Sequence, residues 1–131
     1  MEIIRNYGIA LVAFFLVDIV WLGVVARKLY DKYIGHLRAD KTNWSAAIIF
    51  YLLYVLSLVF IVINPALEKE SIMYAFLGGG LFGIITYSTY DLTNLATLKD
   101  WPVFITIVDI VWGMILNALT AVISFYIISL F

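Results

Sequence analysis

Cysteine is absent from the 131-residue chain, and there is a single histidine, His36. Disulfides, thiol nucleophiles and thiolate-ligated metals are therefore excluded. One histidine cannot build the histidine boxes of membrane di-iron oxygenases, and no Ser–His nucleophile pair can form around it within the apolar segments. Charge is scarce as well. Asp, Glu, Lys and Arg make up 13% of residues, against roughly 25% in soluble domains. The net charge of −1 comes with no basic arm, so nothing points to nucleic acid. No Ser/Gly-rich linker or low-complexity run divides the sequence. What fills it is hydrocarbon: 65% of residues are hydrophobic, and the mean hydropathy is +1.06. Too few polar groups remain to cover a surface in water, so the expected solvent is lipid. The expected fold is a single all-α integral membrane domain over residues 1–131.

Four apolar segments, at 7–26, 44–64, 71–91 and 102–129, reach the roughly 20 residues that a spanning helix needs. Lipid leaves backbone groups no water to bond, so helices are expected, and the alternation of a membrane barrel is missing. Arg5, the apolar run and Val24-Val25-Ala26 loosely resemble a signal peptide. Asp18 interrupts where that run should be cleanest, so the segment reads as a retained helix. The four helices should pack as one compact bundle. A chain with so few spans would need a homodimer to carry a ligand across the membrane.

Arg27, Lys28, Lys32, Arg38 and Lys41 lie in loop one and Lys99 in loop three, against only Arg5 and Lys69 on the other side. That bias places loops one and three in the cytoplasm and both termini outside. Within loop one, Leu29, Tyr33 and Leu37 recur at helical spacing between charges. This suits an amphipathic segment at the inner interface or, equally, a solvated connector. Pro65 is expected to end the second helix. Trp101-Pro102 suits the start of the fourth, with Trp101 and Trp44 as interfacial anchors.

The stretch VDIVW occurs at 17–21 and again at 108–112. Asp18 precedes Arg27 by nine residues, and Asp109 follows Asp100 by nine. Both carboxylates should then lie roughly 13 Å into the membrane from the same side, on helices that run in opposite directions. The repeat is thus inverted: its aspartates share a level and face one space, whereas Trp21 lies nearer the cytoplasm and Trp112 deeper. A charge at such depth costs about 2.5–3.5 kcal/mol on insertion scales. An interhelical polar contact returns only about 0.6–2 kcal/mol. A helix clamp is therefore an incomplete explanation, though intramembrane polar residues often serve only as clamps.

Helix four continues the stripe Asp109, Gly113, Asn117, Thr120 and Ser124, a pattern more often used for packing than for passage. Asn117 stands out because its amide needs several partners. In helix three, Gly79 and Gly83 form a G-x-x-x-G pair, followed on the same face by Tyr87 and Asp91. Thr86, Ser88, Thr89, Tyr90, Thr93 and Asn94 crowd around these, more polar groups than a helix end requires. Tyr51, Tyr54 and Ser57 share a face of helix two, where packing is the commoner use of aromatics. Together they suggest a pocket in the cytoplasmic half of the bundle. Its candidate lining is Asp18, Trp21, Tyr54, Tyr87, Tyr90, Asp91, Asn94, Asp109, Trp112 and Asn117, with the tryptophans as flat apolar walls. Three aspartates could in principle hold a hard cation such as Mg²⁺. The closely spaced carboxylates of membrane phosphotransferases are missing, so neither a metal nor another cofactor is expected.

The run YSTYDLTNLATLKDWP, the helix-four VDIVWG, the helix-one FLVDIVWLG and IVINPAL resemble the bacterial domain-of-unknown-function 2177 family over essentially the whole chain. The resemblance implies an integral protein of a bacterial inner membrane and carries no activity with it. Three functions stay open. One is binding or transport of a small or lipidic ligand, coupled to proton exchange at Asp18 or Asp109. Another is an enzyme using an aspartate as general acid on a lipid or isoprenoid, with Tyr87 or Tyr90 as hydrogen-bond donor. The last is an accessory subunit in which the aspartates are clamps.

Overall fold

The computed structural model describes residues 2–131. Among them are four helices long and apolar enough to cross a membrane: α1 (Glu2–Leu37), α2 (Trp44–Glu68), α3 (Ile72–Thr97) and α4 (Val103–Ser129). No strand occurs among the described residues. Large apolar side chains cover the outside, with Val24 80% and Phe60 75% exposed. A molecule with that surface is matched to acyl chains rather than water. Asn43 caps α2 by accepting from the Ala46 N–H at 3.1 Å, and Ser71 caps α3 by accepting from Tyr74 at 3.0 Å. Each satisfies a backbone donor that a helix start leaves open.

Two helices run further than the sequence suggests. Pro65 does not end α2. Its missing N–H is absorbed by a π-helical turn at Val59–Ile63, where the Asn64 N–H reaches back to the Val59 carbonyl, and the chain stays helical to Glu68. Helix α1 likewise continues through the charges of loop one. A π-helical turn at Trp21–Ala26 inserts one residue and re-aims the face that follows. Beyond it Tyr30 and Tyr33 turn onto α4, with the Tyr33 and Phe104 rings 5.1 Å apart. The Leu29–Tyr33–Leu37 segment is therefore a docked continuation of the first span. Its Arg38–Asp31 ion pair, 2.5 Å long, is exposed and adds little to stability.

Helix α4 is the hub, packing most extensively on α3 and next on α1. The stripe predicted on it is its packing face: Asn117, Thr120 and Ser124 are fully buried. Gly79 and Gly83 of α3 meet this stripe. A methyl group at Gly79 would come within 2.6 Å of the Asn117 carbonyl oxygen, and one at Gly83 would overlap the Gly113 carbonyl. Small residues here allow the two backbones to approach closely enough for van der Waals contact to hold the pair. Trp101 is buried rather than spread along an interface, donating to Thr106 Oγ1 at 3.1 Å and meeting Tyr90 edge to face. Trp44 does stand exposed at the start of α2.

Candidate functional site: a tyrosine-lined groove ending on carboxyl groups

At the end of the bundle that carries loops one and three, α2, α3 and α4 do not close on one another. They leave a groove of about 560 Å³, walled by Phe50 and Tyr54 of α2 and by Thr86, Tyr87, Thr89 and Tyr90 of α3, with Asp109 of α4 at its base. Phe50 and Tyr54 are one helical turn apart, as are Thr86 and Tyr90, so each helix presents a continuous strip. Tyr87 cannot retreat into the bundle, because its ring already lies over Gly113, the gap that glycine leaves in α4.

Beneath the groove a buried network holds the three helices in register. The Tyr54 hydroxyl donates to Asn117 Oδ1 at 3.0 Å and lies 2.8 Å from Thr86 Oγ1. Asn117 Nδ2 donates to the Gly113 carbonyl at 2.7 Å. Asn117 thus meets its several hydrogen-bonding needs within the protein, one partner on its own helix and one on α2. Phe14 and Phe82 pack against the Tyr54 ring, at centroid distances of 5.6 Å and 5.3 Å.

Asp18 and Asp109, expected at one level facing one space, take different hydrogen-bond partners. Asp18 is buried and accepts a hydrogen bond from Trp112 Nε1 at 3.3 Å. Asp109 accepts from the Tyr30 hydroxyl and lies within hydrogen-bonding reach of Asp91. The partner of Asp109 sits twelve residues beyond Asp18 along α1, and the partner of Asp18 sits three residues beyond Asp109 along α4. No hydrogen bond joins the two aspartates. They remain close enough for Asp109 to be a charged neighbour of Asp18.

The tryptophans also depart from the depths assigned by counting. Trp21 and Trp112 stack, with centroids 4.5 Å apart and planes 9° from parallel. Side chains on a helix lean toward its N-terminus. On antiparallel α1 and α4 these two indoles lean toward each other and meet. Their faces cover one another instead of walling the groove.

Of the residues singled out in the sequence, Tyr54, Tyr87, Tyr90 and Asp109 line the groove. Asp91 is fully buried beside Asp109, and neither of its oxygens receives a hydrogen bond from an N–H or hydroxyl donor. Asn94 is half-buried near Tyr90, and Asn117 lies beneath the floor. Asp18, Trp21 and Trp112 are not on the groove wall and contact one another between α1 and α4. Four participants escaped the sequence reading. Phe50 gave no signal beyond its spacing from Tyr54, Thr86 and Thr89 were counted only among the crowded polar groups, and Tyr30 fell in what looked like a loop. No group of three or more His, Asp or Glu suited to a metal occurs among the described residues.

These features define a multi-spanning helical membrane protein with an aromatic groove in one half of its bundle. The chain belongs to the DUF2177 family, described as a predicted membrane protein, whose model matches residues 3–126. No curated protein and no solved structure matches the chain.

Proposed function

We propose that this is a multi-pass protein of the bacterial inner membrane, with loops one and three in the cytoplasm, that binds a small or lipidic amphiphile in the groove between α2, α3 and α4. The observation that carries the reading is the groove itself, about 560 Å³ of mainly aromatic wall ending on Asp109. Ligand sites are typically concave, roughly 300–1,000 Å³, and mostly apolar with a few polar groups that fix orientation. An acyl or ring system would lie along the tyrosines, with its polar end at Asp109. The hydrogen bond from Trp112 supports a clamp role for Asp18 alone.

The test is native mass spectrometry of the protein purified in a mild neutral detergent, beside Thr89→Trp. Thr89 is exposed on the groove wall, so an indole there fills the space without entering the core. Wild type should carry a small molecule that the variant has lost. Equal occupancy in the two proteins would overturn the reading, as would an empty wild type that also binds no added amphiphile.

A further inference from the structure

The carboxyl groups at the base of the groove lack a counter-charge. Asp91 is 0% exposed and receives no hydrogen bond from an N–H or hydroxyl donor, and the carboxyl within its reach is that of Asp109. Asp109, its immediate neighbour, receives one hydrogen bond, from the neutral phenol of Tyr30. The one ion pair among the described residues is Arg38–Asp31, in the loop-one region, so no lysine or arginine neutralises either acid. Two adjoining carboxyls can share a proton between them, but the negative charge that remains has no cation beside it, and an uncompensated charge of this kind is costly.

The donors around the groove are committed elsewhere. Thr89 Oγ1 donates to the Ile85 carbonyl at 2.7 Å, and Thr86 Oγ1 lies 2.8 Å from both the Phe82 carbonyl and the Tyr54 hydroxyl. Tyr54 donates to Asn117 and Tyr30 to Asp109. An anionic head such as a phosphate needs donors or positive charge, and the wall offers it only the Tyr87 and Tyr90 hydroxyls. For a cation the same wall is favourable. Phe50, Tyr54, Tyr87 and Tyr90 line it with four aromatic rings, and a cation within about 6 Å of a ring is attracted to its electron-rich face.

We infer that the groove takes a lipophilic cation, its positive head against Asp109 with Asp91 behind, and its apolar body along Phe50, Tyr54, Tyr87 and Tyr90. The inference rests on the groove being a binding site and adds the charge class of what binds. The cation supplies the counter-charge that the Asp91–Asp109 pair lacks, and the aromatic wall replaces the water it leaves.

Two probes of nearly the same shape and opposite charge separate the possibilities: tetraphenylphosphonium and tetraphenylborate, titrated calorimetrically into the full chain in a neutral detergent. The phosphonium should bind saturably and at least about tenfold more tightly than the borate. Asp109→Asn, which keeps the shape of the side chain, should erase most of that preference, and Thr89→Trp should abolish binding of the phosphonium. Two results would overturn the cation inference while leaving the groove intact. In one, the borate binds as well as the phosphonium and Thr89→Trp removes both. In the other, phosphonium binding survives Asp109→Asn and Asp91→Asn unchanged but is lost in Thr89→Trp. If neither probe binds wild type and no small molecule copurifies with it, the groove reading fails as well. The comparison of the two probes on wild type needs no variant to fold.

Discussion

The indole N–H of Trp112 donates to the carboxylate of Asp18, 3.3 Å away, so the aspartate of one VDIVW stretch is held by the tryptophan of the other. The reciprocal bond is not made. Trp21 stacks on Trp112 instead, and Asp109 is bound by Tyr30. The two copies therefore share one latch between α1 and α4, made from Asp18 of the first and both tryptophans, while Asp109 of the second turns to Tyr30 and the groove.

The latch has a measurable coupling. Trp112→Phe keeps a ring to stack on Trp21 but removes the donor, leaving Asp18 buried without a partner. Thermal unfolding in detergent should show a loss of about 1–3 kcal/mol. Asp18→Asn retains an acceptor oxygen and should cost less. A double-mutant cycle between the two should return a favourable coupling of about 0.5–2 kcal/mol; strictly additive losses would remove the latch from the account.

Glycine positions should differ in their tolerance of a methyl group. Gly83→Ala places a Cβ into the Gly113 carbonyl, which the α3–α4 pair can accommodate only by separating, at a cost of about 1–3 kcal/mol. At Gly80 the same methyl meets Met114 Cγ at 3.6 Å, an ordinary contact. Gly80→Ala should be neutral or stabilising by up to about 1 kcal/mol, since alanine favours the helix. Equal melting temperatures for the two variants would contradict the close approach.

Helix α1 should be protected beyond Arg27. Amide exchange followed by mass spectrometry should show slow exchange across Arg27–Ile34 and fast exchange at 38–42. Tyr30→Phe, which removes the hydroxyl from Asp109, should loosen that protection and lower stability by about 1–3 kcal/mol. Fast exchange throughout 27–42 in wild type would instead make this region a solvated connector.

Orientation can be read chemically, because the chain has no cysteine to give a background. With single cysteines introduced by Ala39→Cys in loop one and Glu70→Cys in loop two, a membrane-impermeant maleimide applied to intact cells should label only the second. Labelling at both positions would indicate a mixed topology, and labelling of the first alone would reverse the proposed orientation.

Much of the fold was legible because hydropathy and length act locally. A run of some twenty apolar residues has few options in lipid, and the four runs appear as four helices. The small-residue stripe of α4 and the Gly79–Gly83 pair were also legible, because residues that permit close approach must lie where helices touch. Helix ends were less so. Arg27 and Pro65 looked like stops, yet π-helical turns just upstream let both helices continue. Such turns depend on which neighbours receive the displaced side chains, and no local pattern marks them.

In the groove, Tyr54, Tyr87, Tyr90 and Asp109 were visible as polar or aromatic residues out of place in an apolar span. Tyr30 was hidden because it acts across 79 residues of sequence, through a helix continuation that its charged surroundings concealed.

By itself, then, the sequence determined that this protein lives in lipid as four helices and that its few intramembrane acids must turn inward, since hydrocarbon tolerates neither bare backbone nor bare charge. The tertiary structure alone decided the pairings: Asp18 with Trp112, Asp109 with Tyr30, and Trp21 against Trp112. Depth counted along a helix places a Cα. Partners are chosen by side chains that lean several ångströms toward their own N-termini, and on antiparallel helices those leanings are opposed.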